Sequence, residues 1–134
     1  MRVVDASVAL KWILPEEGNI EALALLEDHA GQSQPIIVPD ILFYEVTNVL
    51  AVVTKLPQSR IEEVIDWFYN IDLRIAALGG DDFKKAAEIS QECNISVYDA
   101  SYAALAISLK ASFVTADKVL VRKLESKQIK IEQI

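Results

Sequence analysis

The sequence predicts an α/β fold in which a parallel sheet carries helices on both faces. Two patterns carry that expectation. Short apolar runs rich in Val, Ile and Phe recur along the chain, at residues 2–4, 36–38, 73–78, 112–115 and 129–131. They are apolar throughout rather than alternating, as strands covered on both sides are. The stretches between them have helical spacing, one helix or a pair of helices per interval. At 134 residues, with no repeat, linker or low-complexity segment, the chain reads as one domain spanning 1–134.

Each element has a local reason. Val3-Val4 makes a buried first strand. A helix over 6–14 is stopped by Pro15, and an amphipathic helix covers 20–29. Ile36-Ile37-Val38 is a strand, and Pro39-Asp40 opens a helix running to about Thr54. Leu56-Pro57-Gln58-Ser59 is a turn with Ser59 as the expected N-cap of a helix over 60–70. The run 73–78 is β-compatible, and Gly79-Gly80-Asp81-Asp82 then caps a helix reaching Cys93. An Ala-rich helix over 98–110, a strand at 112–115, a helix over 117–126 and a strand at 129–131 complete the chain.

Composition narrows the functional classes. The net charge of −7 argues against a general nucleic-acid coat, which needs Lys and Arg for phosphates. It leaves room for a nuclease, because a carboxylate cluster contributes to that charge. Lys118, Arg122, Lys123, Lys127 and Lys130 crowd the last stretch, as a solvated helix face or as a phosphate-gripping patch. A single cysteine, Cys93, allows no internal disulfide and fits a reducing, cytoplasmic setting. No apolar run approaches membrane-span length. The chain is 52% hydrophobic, which suits either a dense core or an oligomer or partner interface. Phe43, Tyr44, Trp67, Phe68 and Tyr69, on two consecutive helices, are candidates for both.

Four acids stand beside apolar runs: Asp5, Glu45, Asp99 and Asp117. Asp5, Asp99 and Asp117 fall at helix starts, so each also has a capping explanation; Ser96-x-x-Asp99 is a capping-box pattern. Glu45 lies inside its helix, with Asn48 one turn on, beside an apolar stripe of Val46, Val49, Leu50 and Val53. Taken together, the acids fall where neighbouring parallel strands open a crevice at their carboxyl ends. Carboxylates gathered there repel one another unless a cation joins them, which points to a divalent metal with oxygen ligands. Other chemistries find no support. One histidine, His29, and one cysteine make a catalytic triad or a structural zinc site a poor fit, and no phosphate-binding glycine motif is present.

These residues resemble the PIN-domain ribonucleases, and within them the VapC-type toxins of toxin–antitoxin pairs. Val3-Val4-Asp5-Ala6-Ser7-Val8 looks like that family's opening strand, and Pro39-Asp40 through Glu45, Asn48 and Leu50 is similar to its second motif. Tyr98-Asp99-Ala100-Ser101-Tyr102-Ala103-Ala104-Leu105-Ala106 resembles the third, and Val114-Thr115-Ala116-Asp117-Lys118 the fourth. The resemblance implies a five-stranded parallel sheet and Mg²⁺- or Mn²⁺-dependent cleavage of RNA phosphodiesters. It also implies a homodimer and a cognate antitoxin protein. Asp5, Glu45, Asp99 and Asp117 would be catalytic and hold the metal directly or through water. Ser7, Asn48 and Thr115 would orient those carboxylates or a bound water. The alternatives are an RNA-processing nuclease that is not a toxin and a catalytically silent PIN-like binding module.

Overall fold

The computed structural model describes all residues, 1–134. Its strands are β1 (Arg2–Val4), β2 (Ile36–Pro39), β3 (Arg74–Ala76), β4 (Ser112–Thr115) and β5 (Ile131–Gln133). The helices are α1 (Ala6–Ala9), α2 (Asn19–Ala30), α3 (Ile41–Asn48), α4 (Gln58–Asn70), α5 (Gly80–Cys93), α6 (Val97–Leu109) and α7 (Lys118–Leu124). All five strands are parallel, in the order β3-β2-β1-β4-β5, with helices on both faces as expected.

The central strands show why uninterrupted apolar runs were the right signal. Val3 and Val4 are both fully buried, and so are Phe113 and Val114, so successive residues find cover on opposite faces. Helix α6 packs over β1, β2 and β4. Its Ala100, Ala103, Ala104 and Ala106 are buried, and their small side chains allow a close approach to the sheet. The chain winds from β1 outward through β2 to β3, then returns to β4 on the other side of β1. The crevice therefore opens between the carboxyl ends of β1 and β4.

Several local expectations need correction. The helix over 6–14 is α-helical only to Ala9, then tightens into a 3₁₀ turn at Leu10–Trp12. Ser59 is not an N-cap: α4 begins at Gln58 behind an extended Pro57, and Ser59 lies inside its first turn. Proline's fixed φ and missing N–H suit the helix entrance, so the boundary moves toward it. The third strand shrinks to three residues at the sheet edge, where only β2 offers partners. The last strand is displaced to 131–133 because Ile131 pairs with Phe113 and Gln133 with Thr115.

The helix that starts at Ile41 changes character after Asn48. Residues Val49–Val53 form a π turn in which the Thr54 N–H reaches the Val49 carbonyl at 3.0 Å. One extra residue in a turn rotates the residues after it by about 100°. Val46 and Leu50 stay in the core, but Val53 is turned out and is 70% exposed, which ends the predicted stripe. The five aromatics divide in the same way. Phe68 is buried against Trp12, with ring centroids 6.0 Å apart. Tyr44 and Tyr69 are exposed, and Tyr69 stacks on Phe43 at 4.9 Å.

Candidate active site

Asp5 follows the last residue of β1 and is only 5% exposed. Its Oδ1 accepts the Val8 N–H at 3.2 Å, so it does cap α1. It is held by two hydroxyls as well. Ser7 Oγ donates to Oδ1 and Thr115 Oγ1 donates to Oδ2, both at 2.5 Å. Those hydroxyls are themselves fixed from behind. Ser7 Oγ accepts the Ala116 N–H at 2.9 Å, and Thr115 Oγ1 accepts the Asp117 N–H at 3.1 Å. A chain of short polar contacts thus stitches the end of β1 to the end of β4. Ser7 and Thr115 orient the Asp5 carboxylate, and the backbone of the last motif orients them.

Glu45 approaches from α3, which packs on α1. Its Oε2 accepts a hydrogen bond from Tyr102 Oη at 2.5 Å. Asp99 sits in the first turn of α6. There the capping box is only half formed: Ser96 Oγ accepts the Asp99 N–H at 3.0 Å, but the Asp99 carboxylate makes no bond back. The cap is Ser96, so the Asp99 carboxylate has no structural partner. Asp117 is exposed and caps α7, its Oδ1 accepting from Val119 N at 2.8 Å and Leu120 N at 3.0 Å. Asp99 and Asp117 line opposite sides of a polar cleft of about 360 Å³, together with Ser96, Asn94 and Lys123.

The electrostatics separate these acids from the others in the molecule. No ion pair involves Asp5, Glu45, Asp99 or Asp117. Burial pushes the Asp5 carboxyl above its usual range. The hydrogen bonds from Ser7, Thr115 and Val8 oppose that shift, and the negative charge of Asp99 adds to it. Glu45 is raised as well, first by desolvation and then by Asp99 and Asp5, with the Tyr102 hydroxyl acting against them. Burial and hydrogen bonding to Glu45 together push the Tyr102 phenol far above the ordinary tyrosine range. Three carboxylates thus feel one another across the crevice with no cation to balance them.

The donor set consists of carboxylate and hydroxyl oxygens, which suits a hard divalent cation rather than zinc or copper. The side chains stand wider apart than a closed chelate: no group of three acidic, His or Cys residues converges on one point. The chemistry fits the ion, and charge is in deficit where the ion would go. Asn48 is placed differently from the other predicted residues. It is exposed, makes no hydrogen bond to any of the acids, and lines a groove with Tyr44, Thr47, Ala51, Tyr69 and Ile75.

Tyr102 was missed by reasoning from the sequence, although one signal was there. It is the one bulky polar side chain between Ala100 and Ala106 on a helix that otherwise presents small or apolar groups to the sheet. A buried phenol in such a setting must find an acceptor. His29, by contrast, is structural: its Nδ1 accepts the Ile36 N–H at 3.0 Å and its Nε2 lies 3.2 Å from the carbonyls of Ile71 and Asp72.

Comparison with known proteins agrees with this geometry. The profile of the PIN domain matches residues 2–124. The chain belongs to the PIN-domain family. It is 29% identical over 126 residues to "Ribonuclease VapC3" of Pyrobaculum aerophilum, covering 90% of this chain and 92% of that protein. Among solved structures it is similar to VapBC2 from Rickettsia felis bound to a promoter DNA fragment, with a TM-score of 0.77 at 16% identity over 99% of this chain and 98% of that one. It is also similar to DNA-bound VapBC from Salmonella typhimurium, with a TM-score of 0.72 at 19% identity over 98% and 96%. At these identities the two structures speak for the PIN fold. No helix is long and apolar enough to cross a membrane.

Proposed function

We propose that this PIN domain is a metal-dependent endoribonuclease, the toxin of a toxin–antitoxin pair acting in the cytoplasm. The observation that carries the reading is the unbalanced set of Asp5, Glu45 and Asp99 at the β1/β4 crevice, two of them with raised carboxyl pKa values and none in an ion pair. Asp117 flanks them across the cleft from Asp99. These four would hold Mg²⁺ or Mn²⁺ directly or through water. When bound, the cation lowers the pKa of a coordinated water and offsets charge developing on the phosphoryl oxygens.

The chain's own groups do the rest. Ser7 and Thr115 keep the Asp5 carboxylate in one orientation, so it is already placed when substrate arrives. Helix α6 directs the unpaired Asp99 carboxylate toward incoming charge from its positive end. Lys123, at the rim of the Asp99–Asp117 cleft, supplies a cation near an RNA phosphate. The relative named a ribonuclease and the neighbours solved as VapBC complexes support RNA as substrate and an antitoxin as partner. The exposed Tyr44, Tyr69, Ile75, Phe83 and Tyr98 offer apolar surface for a second copy of the chain or an antitoxin.

The test is cleavage of a labelled single-stranded RNA by protein purified free of contaminating nuclease, with Mn²⁺ and with EDTA. The expected result is cleavage that EDTA abolishes and that Asp99→Asn abolishes in a folded protein. Undiminished cleavage in EDTA overturns metal dependence. The absence of cleavage with Mn²⁺ on any RNA, together with tight RNA binding, favours the silent binding module, for which the wide spacing of the carboxylates is the supporting observation.

A further inference from the structure

Carboxylates are often able to offer a cation either one oxygen or two. At Glu45 that freedom is restricted. Tyr102 is 1% exposed, and its ring lies nearly parallel to that of Phe113, 7° apart with centroids at 6.2 Å. Buried Ala103, Ala104 and Ala106 come after it on α6, so the ring is enclosed by sheet and helix. A phenol has one proton to donate. Here it goes to Glu45 Oε2 at 2.5 Å, and no other polar group bonds Tyr102 Oη. Swinging away would leave a buried donor without a partner, so the ring and the bond hold each other in place. Asp5 is restrained in parallel, with a hydroxyl on each oxygen.

We propose that Tyr102 is a positioning residue that sets the cation preference of the crevice: its hydroxyl occupies Glu45 Oε2, so Glu45 presents one oxygen rather than two. Small cations such as Mg²⁺ bind about six single oxygens in near-octahedral geometry, whereas Ca²⁺ takes roughly six to eight and readily uses both oxygens of a carboxylate. A carboxylate limited to one oxygen favours the small ion. The inference rests on the divalent site of the nuclease reading and deepens it. It assigns a role to a residue that is neither an acid nor a ligand.

The experiment is calorimetric titration of metal-free protein with MnCl₂ and, separately, CaCl₂. The proteins are wild type, Tyr102→Phe and Tyr98→Phe, each checked by circular dichroism. In Tyr102→Phe, Mn²⁺ affinity should fall about tenfold, the usual loss on removing an outer-shell partner, while Ca²⁺ affinity holds or rises. The Mn²⁺/Ca²⁺ affinity ratio therefore drops about tenfold or more. Tyr98→Phe, an exposed neighbour that makes no such bond, should behave as wild type. A purely structural tyrosine would change the melting point and leave the ratio alone; an unchanged ratio in folded Tyr102→Phe overturns the proposal. Should that variant not fold, 3-fluorotyrosine in place of Tyr102 is a stronger donor of similar shape and should raise the ratio; no change would overturn the idea equally. Wild-type protein that binds neither ion overturns the divalent reading itself, an outcome distinct from a ratio that does not move.

Discussion

At its amino end β1 places Arg2 between Asp28 and Glu132, at 2.6 and 3.3 Å. At its carboxyl end, three residues on, it leads into Asp5, whose charged neighbours Glu45 and Asp99 share its sign. The amino-end acids come with their cation. Desolvation raises Glu132, but the Ser112 hydroxyl, the Arg2 guanidinium and Lys130 outweigh it and leave the carboxyl below its usual range. The carboxyl-end acids are shifted the other way. One three-residue strand thus joins a self-contained ion cluster to an incomplete one. The difference marks which cluster serves the fold and which awaits something from outside.

The largest break in that comparison comes from neutralising the incomplete end. Asp5→Asn should lower Mn²⁺-dependent RNA cleavage by about a thousandfold or more, since metal-assisted charge stabilisation is worth several kcal/mol. Single-turnover rates on a labelled RNA, at matched folded fraction, measure it. Next in size is the response to the ion itself. Mn²⁺ at 100 times its dissociation constant should stabilise the wild type by about 2.7 kcal/mol, on the order of 10 °C in melting temperature. In Asp5→Asn the shift should largely vanish. Removing the cation at the complete end has the converse effect. Arg2→Met should cost about 1–2 kcal/mol, discounted for the partial exposure of its partners, with cleavage by the folded fraction unaltered.

The two ends should also diverge with pH in metal-free protein. Asp5 and Glu45 have raised folded-state pKa values, so their contribution is fully present below their unfolded values and is lost as pH rises through the folded ones. Glu132 is depressed, so its contribution is present above its unfolded value and is lost as pH falls through the folded one. Mild acidification from neutrality should therefore raise the melting point, and stronger acid should lower it. Asp5→Asn should reduce the first limb, while Glu132→Gln should reduce the second. The smallest effect is expected at Asp117→Asn. Asparagine caps as well as aspartate, so metal-free stability should change by no more than about 0.5 kcal/mol even as Mn²⁺ affinity drops.

The fold was legible where a signal is carried by consecutive residues. Val3-Val4, Ile36 to Val38 and Phe113-Val114 read as covered strands because both faces are apolar, and they are covered. It was less legible where a boundary depends on a distant partner. Nothing near Ile129 says that the strand begins at Ile131; its start is set by pairing with Phe113. The π turn after Asn48 was equally hidden, because Val49 to Val53 fits an α-helix as well as a π turn. At the crevice, Ser7 and Thr115 are where short-range reasoning put them, on Asp5. Asn48 faces another groove. The Tyr102–Glu45 bond links residues 57 apart, and only the packing of α6 brings them together.

The bond from Thr115 to Asp5 spans 110 positions of sequence. A chain emerging from the ribosome presents Asp5 first and Glu45 soon after. Their shared setting exists only once β4 has been made and has slotted in beside β1. Domains fold as units during synthesis, and contacts this distant in sequence form slowly. Such a chain would remain harmless toward the message that encodes it until nearly the last residue is joined, and a truncated product ending before Thr115 would have no assembled crevice with which to cut. Placing the first strand next to the fourth delays the onset of activity to the end of translation.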